Sequence, residues 1–441
     1  MFAQAWPIIL GQALVPLVGV VDVAVIGRTG DAGALAGVAL GAAVINLVFW
    51  TFGFLRMGVT GMTAQANGAG DGEGVSATLL RALVLGVGLG LLLLLLSPAI
   101  VPATLALLNA PPNAAGPAHS FTSARFFGAP GALGFYVING WLIGLGRTRL
   151  ALGCQIAMNG INIALDILFV GAFDMGALGV GIGTALAEWI ALTAGLLAVR
   201  QVLGRGWWHR ILHEHGSTLF SLRALRPVVA VNIDIMIRTL SLLLLFSWFA
   251  RAGARLGAVP LAANHILMQL IGVTAYVLDG FAFTAEARVG AAVGAGSRSA
   301  LLRAIRLTGE FSLLGGLAFC VLFALTGGGL INLITVDPAI RVQAMAMLPY
   351  CALIPLLGVP SWLLDGIFIG ATRGRILRNA AILATSAYLA TDYALRGFGE
   401  VGVWGALLAS YVYRALSLGV CLPNVIRLVE RRTELSPELR A

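Results

Sequence analysis

The feature that most constrains this chain is the spacing of its charged residues. They cluster and leave apolar stretches of about 20 residues, which is the length that a helix needs to cross the hydrocarbon core of a bilayer. Of the 441 residues, 59% are hydrophobic and 11% are charged, against about 25% charged in a typical soluble domain. The chain is therefore expected to be an all-α polytopic membrane protein, and an ordinary cytosolic enzyme is excluded.

The apolar stretches predict twelve transmembrane helices. Several are longer than one crossing, so tilt or projection into water is expected. The 57 glycines lie inside these stretches, where small residues let helices pack closely. The predicted spans are approximately 5–27, 33–66, 75–108, 115–145, 149–172, 177–199, 222–250, 256–291, 300–333, 339–371, 375–396 and 401–426.

The distribution of arginine predicts the orientation of these helices. The chain has no lysine, and nineteen arginines lie on the even connections and the C-terminus against six on the odd connections, Arg125 among the six. By the positive-inside rule, both termini are expected in the cytoplasm. The net charge of +9 therefore reflects topology, and no nucleic-acid partner is expected.

The chain contains an internal repeat. Residues 140–147, GWLIGLGR, return as residues 366–373, GIFIGATR, and at the same offset Asp166 meets Asp392. An even number of helices in each half makes this a parallel repeat, an arrangement found in many transporters. We predict a six-helix lobe over 1–200, a cytoplasmic linker over 201–221, and a second six-helix lobe with a cytoplasmic tail over 222–441.

Four polar residues of the first half are expected to form a cluster within the membrane. A carboxylate in hydrocarbon costs at least about 2.5 kcal/mol, so an acid in a span is a functional candidate. Counted along the helices from the neighbouring loops, Asp22, Asp166 and Thr184 share a depth in the outer leaflet. Asn162 precedes Asp166 by four residues and therefore lies on the same helix face.

Two carboxyl groups with an amide and a hydroxyl can hold one proton or a small cation such as sodium. Burial and like charge both oppose the ionisation of the second carboxyl group. The alternative is that Asp166 only hydrogen-bonds Thr184 or Asn162 and so holds two helices together. The four cysteines lack the spacing of metal ligands and are interpreted as packing residues.

The second half keeps only part of this pattern. Asp392 repeats Asp166, but Tyr388 stands where the first half has Asn162. Asp365 and Asp392 are candidates for a substrate cavity. Asp234 is followed one turn later by Arg238, so a local ion pair is expected there.

Two prolines interrupt the first span. Pro7 and Pro16 each remove a helical hydrogen bond, so the helix is expected to bend at a weak point. A static kink is the alternative.

Three runs resemble a known family. They are residues 15–28, VPLVGVVDVAVIGR, residues 55–66, LRMGVTGMTAQA, and residues 365–373, DGIFIGATR, with Arg378 and the asparagine after it. They resemble the multidrug and toxic compound extrusion (MATE) transporters, and among these the DNA-damage-inducible F (DinF) branch. The resemblance covers nearly the whole chain.

The resemblance implies an antiporter of the bacterial inner membrane. Such a protein exports organic, often cationic or hydrophobic, compounds by alternating access, in exchange for protons or sodium. The family's bending proline matches Pro7. Its cation-site residues fall on Asp22, Asp166, Asn162, Thr184 and Asn139.

Accordingly, we expect drug-like small molecules as substrates, the lipid bilayer as surroundings, a monomer, no enzymatic activity, and no cofactor besides the coupling ion. Two alternatives remain open: a flippase for lipids or lipid-linked oligosaccharides from the same superfamily, and a channel or other membrane protein that does not export compounds.

Overall fold

The computed structural model describes residues 2–209, 213 and 221–435, which form helices and no strand. The helices of the first half are α1 (Phe2–Gly27), α2 (Ala32–Thr51), α3 (Phe54–Gly68), α4 (Gly72–Leu107), α5 (Pro112–Phe127), α6 (Ala129–Gly144), α7 (Thr148–Asp166) and α8 (Gly176–Leu203). Those of the second half are α9 (Leu222–Leu256), α10 (Ala258–Gly294), α11 (Arg298–Ile334), α12 (Pro338–Gly370), α13 (Gly374–Leu395) and α14 (Gly399–Leu435).

The described helices account for twelve membrane crossings. Ten segments are long and apolar enough to span a bilayer, and α5 with α6, which meet at a bend of 50°, make an eleventh. One of the ten, Gly374–Glu430, contains both α13 and α14, which pack against each other and are separated by the 3-10 turn Arg396–Phe398. It therefore crosses twice, and the predicted all-α polytopic fold is confirmed.

The chain divides into two compact units. The first unit contains Leu10–Thr63 and Asp71–Val229, and the second unit contains Met1–Ile9, Ala64–Gly70 and Ala230–Ala441. Three helices therefore contribute residues to both units. Helix α1 begins in the second unit and continues in the first, whereas α3 and α9 begin in the first unit and end in the second.

The predicted linker falls between two helices. Helix α8 ends at Leu203 and α9 begins at Leu222. Within the linker, residues 210–212 and 214–220 lie outside the described part of the chain. The division into lobes at this linker stays a prediction, and the compact units differ from it in three short segments, 1–9, 64–70 and 222–229.

One exchanged segment, 64–70, is bound tightly within the second unit. The side-chain amide of Gln65 donates to the carbonyl oxygen of Gly370 at 2.9 Å and to Thr372 Oγ1 at 3.0 Å. A Cβ atom on Gly294 would overlap the carbonyl oxygen of Gln65, so only glycine allows this close approach of α3 and α10.

The repeated glycines have the same packing role in both halves. A Cβ on Gly140 would overlap the carbonyl oxygen of Arg56, and a Cβ on Gly366 would overlap that of Ala282. In each half, a glycine at the same repeat position thus lets two helix backbones touch. The repeat seen in the sequence is therefore also present in the packing.

Two helices have irregular features near the predicted site. Helix α1 runs as one helix over Pro7 and Pro16, although the side chain of Pro16 is outside the described part. Helix α7 ends at Asp166 and continues as a π-helical segment, Ile167–Ala172. Such segments have a wider turn and are frequent at functional sites.

Candidate functional site

Asn162, Asp166 and Thr184 form a hydrogen-bonded group between α7 and α8 in the first unit. The amide nitrogen of Asn162 donates to Asp166 Oδ2 at 3.1 Å and lies 3.0 Å from Thr184 Oγ1, which accepts from it. The Thr184 hydroxyl donates in turn to the carbonyl oxygen of Val180 at 2.9 Å. These hydrogen bonds fix the orientation of the Asn162 amide, which binds Asp166, and of the Thr184 hydroxyl.

Asp22 brings a second carboxyl group to this site from α1. Its carboxyl group lies within hydrogen-bonding reach of the Asp166 carboxyl group, and both side chains are buried. Three buried oxygens, Asp22 Oδ1, Asp166 Oδ1 and Asn162 Oδ1, receive no hydrogen bond from any donor of the described residues. Because ionised carboxylates only accept hydrogen bonds, two of them in contact need a proton or a cation between them.

A glycine on α8 makes room for the Asp166 carboxyl group. A Cβ on Gly183 would overlap Asp166 Oδ1, whereas its next nearest neighbour, the backbone nitrogen of Asp166, would be 3.3 Å away. The glycine before Thr184 therefore decides how closely the carboxyl group approaches α8.

The structure adds an ion pair that the sequence analysis missed. Arg125 on α5 and Glu188 on α8 are both buried, and Arg125 Nη1 lies 2.8 Å from Glu188 Oε1. Arg125 also interacts electrostatically with Asp22 and Asp166. The topology count placed Arg125 among the arginines of the odd side, although the residue falls within the predicted span 115–145; in the structure it is a buried residue of the first unit.

The bend between α5 and α6 explains this misassignment. The break falls at Gly128, three residues after Arg125, and divides what looks like one apolar span into two helices. Arg125 thus occupies the last turn of α5, where a cation is favoured by the helix dipole. The clue in the sequence was the pair Gly128 and Pro130, which marks a possible helix end within the span.

Among the described residues, two other predicted residues are not part of this hydrogen-bonded group. Asn139 is half-buried on α6, and among the described residues no hydrogen bond joins it to the other four. Pro7 is buried on α1 but belongs to the second unit. The site roles of all these residues stay predictions.

Asp365, a predicted cavity residue, is bound by two arginines inside the second unit. It accepts hydrogen bonds from Arg238 on α9 and from Arg414 on α14, the latter through Nε at 3.3 Å. All three side chains are buried. Asp234, for which a pair with Arg238 was expected, accepts a hydrogen bond from Arg378 Nη1 at 2.8 Å.

Asp392, the other predicted cavity residue, is also bound by arginine. Arg255 Nη2 donates to its two carboxylate oxygens at 3.2 and 2.9 Å, and Trp248 Nε1 donates at 3.0 Å. Ser410, the repeat equivalent of Thr184, donates to the carbonyl oxygen of Leu407 at 2.6 Å. The hydrogen bonding of the Asp166 site is therefore not repeated around Asp392.

The described part of the chain contains no group of three or more His, Cys, Asp and Glu residues that could hold a metal ion. The four cysteines are free thiols, of which Cys154 and Cys351 are buried among packed helices. These findings leave the carboxyl pair with its amide and hydroxyl as the candidate site for a small cation.

Twelve crossings, a duplicated bundle and a buried carboxyl pair define the class: a polytopic membrane protein with the architecture of a secondary transporter. The chain belongs to the MatE family, whose model matches residues 7–168 and 235–393, once in each half. The resemblance inferred from the sequence motifs is therefore confirmed, and with it membership of a family of multidrug efflux transporters.

Two curated relatives cover most of this chain. It is 37% identical over 415 residues to DNA damage-inducible protein F of Escherichia coli, a match that covers 94% of this chain and 89% of that protein. It is 26% identical over 456 residues to multidrug resistance protein PmpM of Pseudomonas aeruginosa, covering 98% and 92%. The first of these matches supports the predicted branch of the family.

Solved structures share the fold. The Vibrio cholerae MATE transporter VcmN in its bent form superposes with a TM-score of 0.86 at 17% identity, over 97% of this chain and 96% of that one. A MATE crystal structure in the bent conformation gives a TM-score of 0.85 at 20% identity, over 97% and 95%. At these identities the similarity demonstrates the fold alone.

Proposed function

We propose that this protein is a proton-coupled antiporter that exports drug-like small molecules, and that Asp22 and Asp166 form its proton site. The observation that carries the proposal is the difference between the two halves. The carboxyl groups of Asp22 and Asp166 face each other and neutral partners, whereas Asp365 and Asp392 are each bound by guanidinium groups. A carboxyl group that is paired with a guanidinium of the protein is already neutralised, so it does not require an exchangeable proton or cation.

The proposed cycle follows from the two charge states of this site. In the ionised state, the site attracts cationic cargo. A proton taken up from outside neutralises the pair, α1 bends near Pro7 and Pro16, and the cargo is released outward. Such exchange requires that proton and cargo each bind the two conformations with different affinity.

The setting that we propose is the bacterial inner membrane, with both termini in the cytoplasm and a monomer as the working unit. Organic cations and hydrophobic compounds are the proposed cargo. The arginine distribution supports the orientation, and the named relatives support the cargo class.

The decisive variant is Asp22→Asn in proteoliposomes that contain the purified protein. Dye movement is followed together with intravesicular pH and sodium while a pH gradient or a sodium gradient is imposed. We expect wild-type protein to accumulate dye against its gradient when protons flow the other way, and Asp22→Asn to lose this exchange. If a sodium gradient alone drives dye accumulation, the coupling ion is sodium and not the proton.

The matched control is Asp31→Asn. Asp31 is an exposed acid in the same unit that caps α2 by accepting a hydrogen bond from the backbone nitrogen of Ala34. Asparagine caps helices equally well, so this variant should transport normally. Full exchange by a folded Asp22→Asn protein would contradict the proposed site, and downhill dye leakage without accumulation would indicate a channel.

A further inference from the structure

The ion pair of Arg125 and Glu188 is not used by the proposed cycle. It nevertheless lies in the same unit as Asp22 and Asp166, and all four side chains are buried. The group contains three carboxyl groups and one guanidinium, so full ionisation would leave two uncompensated negative charges in a medium of low dielectric constant. Three carboxyl groups therefore compete for the positive charge of one guanidinium.

Arg125 is within electrostatic reach of all three acids. It contacts Glu188 directly and interacts with Asp22 and Asp166 at longer range. Glu188 follows Thr184 by one helical turn, about 6 Å along the axis, so both side chains lie on the same face of α8. The guanidinium thus has two alternative anionic neighbours, Glu188 and the pair of Asp22 and Asp166.

The contacts of Arg125 permit it to turn. Its ion pair with Glu188 is made through one carboxylate oxygen, and the other, Oε2, has no hydrogen-bond partner among the residues that the structure describes. The guanidinium carbon also lies over the Phe49 ring, 5.5 Å from its centre, in a cation–π contact. A bidentate pair would hold the side chain in one position, but this arrangement does not.

Gly128 keeps space open around Glu188. A Cβ there would overlap Glu188 Oε2 and would lie 2.8 Å from the Cα of Ala185. The break between α5 and α6 thus places a cation at the end of α5 and leaves room for its acidic partner.

We propose that Arg125 is a tethered counter-cation of the proton site. Its guanidinium rests on Glu188 while Asp22 and Asp166 share the proton, and it turns toward them when the proton leaves. Glu188 thereby adjusts how strongly the site holds the proton, and both residues act as positioning residues. The inference rests on the proposed function, since it requires that Asp22 and Asp166 exchange a proton.

Few other charged groups face Arg125 from the elements packed against α5. Helix α2 contributes the Phe49 ring and has no titratable residue. Helix α4 has Glu73 and Arg81 near its start, helix α6 has Tyr136, and α5 itself has the exposed His119. The acids that compete for the guanidinium are therefore Asp22 on α1, Asp166 on α7 and Glu188 on α8.

The test is the pH at which dye–proton exchange is half-maximal. In Glu188→Gln the guanidinium has only Asp22 and Asp166 as acidic partners among these three acids, which favours the ionised form of the pair. Proton binding at the site should therefore need a more acidic medium. In Arg125→Gln the attraction between the guanidinium and the two carboxylates is lost, so the site should bind its proton at higher pH. We expect shifts in opposite directions, each at least about tenfold in proton concentration, which is about 1.4 kcal/mol.

Two further variants keep the test decisive. Arg125→Lys retains the charge and should return the midpoint close to that of the wild-type protein. If Arg125→Gln fails to fold, judged by thermal unfolding in detergent, Glu188→Gln and Arg125→Lys carry the test. Arg306→Gln is the control, because it breaks an exposed pair with Glu310, 2.7 Å long, on α11 and should leave the midpoint unchanged.

The outcomes separate this inference from the proposed function. If wild-type protein shows proton-driven exchange that Asp22→Asn abolishes, but the Arg125 and Glu188 variants leave the midpoint unchanged or move it in the same direction, the inference is wrong and the proposed function stands. If wild-type protein shows no proton-driven exchange, the proposed function fails, and the tethered-cation role fails with it.

Discussion

Each of the four buried acids that the repeat and the motifs single out is neutralised in one of two ways. Asp365 and Asp392 contact guanidinium groups that belong to the protein, and these contacts lie within the second unit. Asp22 and Asp166 lie within hydrogen-bonding reach of each other, and Asp166 accepts a hydrogen bond from the neutral amide of Asn162. A buried charge without a fixed partner is costly, so these two carboxyl groups are the ones that gain most from a mobile cation.

Gly183→Ala should impair transport without unfolding the protein. The added methyl group would overlap Asp166 Oδ1, the movable end of a side chain, and so would displace the carboxyl group from its neighbours. We expect at least about a tenfold loss of exchange rate in proteoliposomes, which corresponds to about 1.4 kcal/mol.

The control for this prediction is Gly153→Ala. Gly153 lies on α7, and its added Cβ would meet nothing within 4 Å. It should transport normally and gain up to about 1 kcal/mol of stability from helix propensity. Equal exchange rates for the two variants would exclude the role assigned to Gly183.

Single residues also mark the limit of local sequence reasoning. Asp234 and Arg238 are one turn apart, yet Asp234 binds Arg378 and Arg238 binds Asp365, each on another helix. Helix spacing identifies which side chains share a face, but the neighbouring helix decides which charge is nearest. The local rule therefore identified charged positions correctly and predicted one of their partners wrongly.

Three helices, α1, α3 and α9, each contribute to both compact units. Helix α1 carries Pro7 in its part that belongs to the second unit and Asp22 in its part that belongs to the first. Proline removes a helical hydrogen bond and crowds the preceding turn, so bending costs less there than elsewhere in the helix. A change at Asp22 can thus be accompanied by bending of the same helix.

Pro7→Ala should slow exchange and leave folding intact. Alanine restores the hydrogen bond and removes a defect worth about 3 kcal/mol in a helix interior, so α1 becomes stiffer. We expect a several-fold lower exchange rate in proteoliposomes, with a thermal midpoint equal to or above that of the wild-type protein.

Pro98→Ala is the matched control for helix stiffness. Pro98 also lies inside a long helix, α4, and its side chain is exposed. All of α4 belongs to the first unit, so stiffening it should not affect exchange. A Pro7→Ala protein as fast as wild type would show that the proline is a static kink.

The whole molecule is a duplication whose two halves exchange segments. In the second unit, Ala5 packs with Leu278, Phe281 and Val359, and Gln65 bonds to the turn after α12. The second unit is therefore incomplete without residues of the first half. Sequence duplication produced two similar bundles, but their folding is not independent.

A chain divided at residue 213 should consequently work only as a pair of fragments. Expressed alone, the second fragment lacks residues 1–9 and 64–70 of its unit and should be unstable in detergent. Expressed together, the fragments should copurify and retain exchange. The measurement is size-exclusion chromatography with thermal unfolding, and a stable, monodisperse second fragment alone would contradict this prediction.

The sequence by itself determined the fold class, the number of crossings, the duplication and the family. These follow from apolar length, charge spacing and motifs, which are local properties of the chain. It also indicated Asp22, Asn162, Asp166 and Thr184, because polar residues within apolar spans are conspicuous and helix geometry fixes their faces.

Only the tertiary structure decided which charges neutralise one another and which segments share a unit. It places Arg125 beside Glu188 because the apparent span containing Arg125 breaks at Gly128, and it binds Asp365 with two arginines from helices distant in sequence. Electrostatic partners depend on distances between helices, whereas periodicity describes only one helix at a time. The difference between the two halves, on which the proposed proton site depends, is therefore a property of packing.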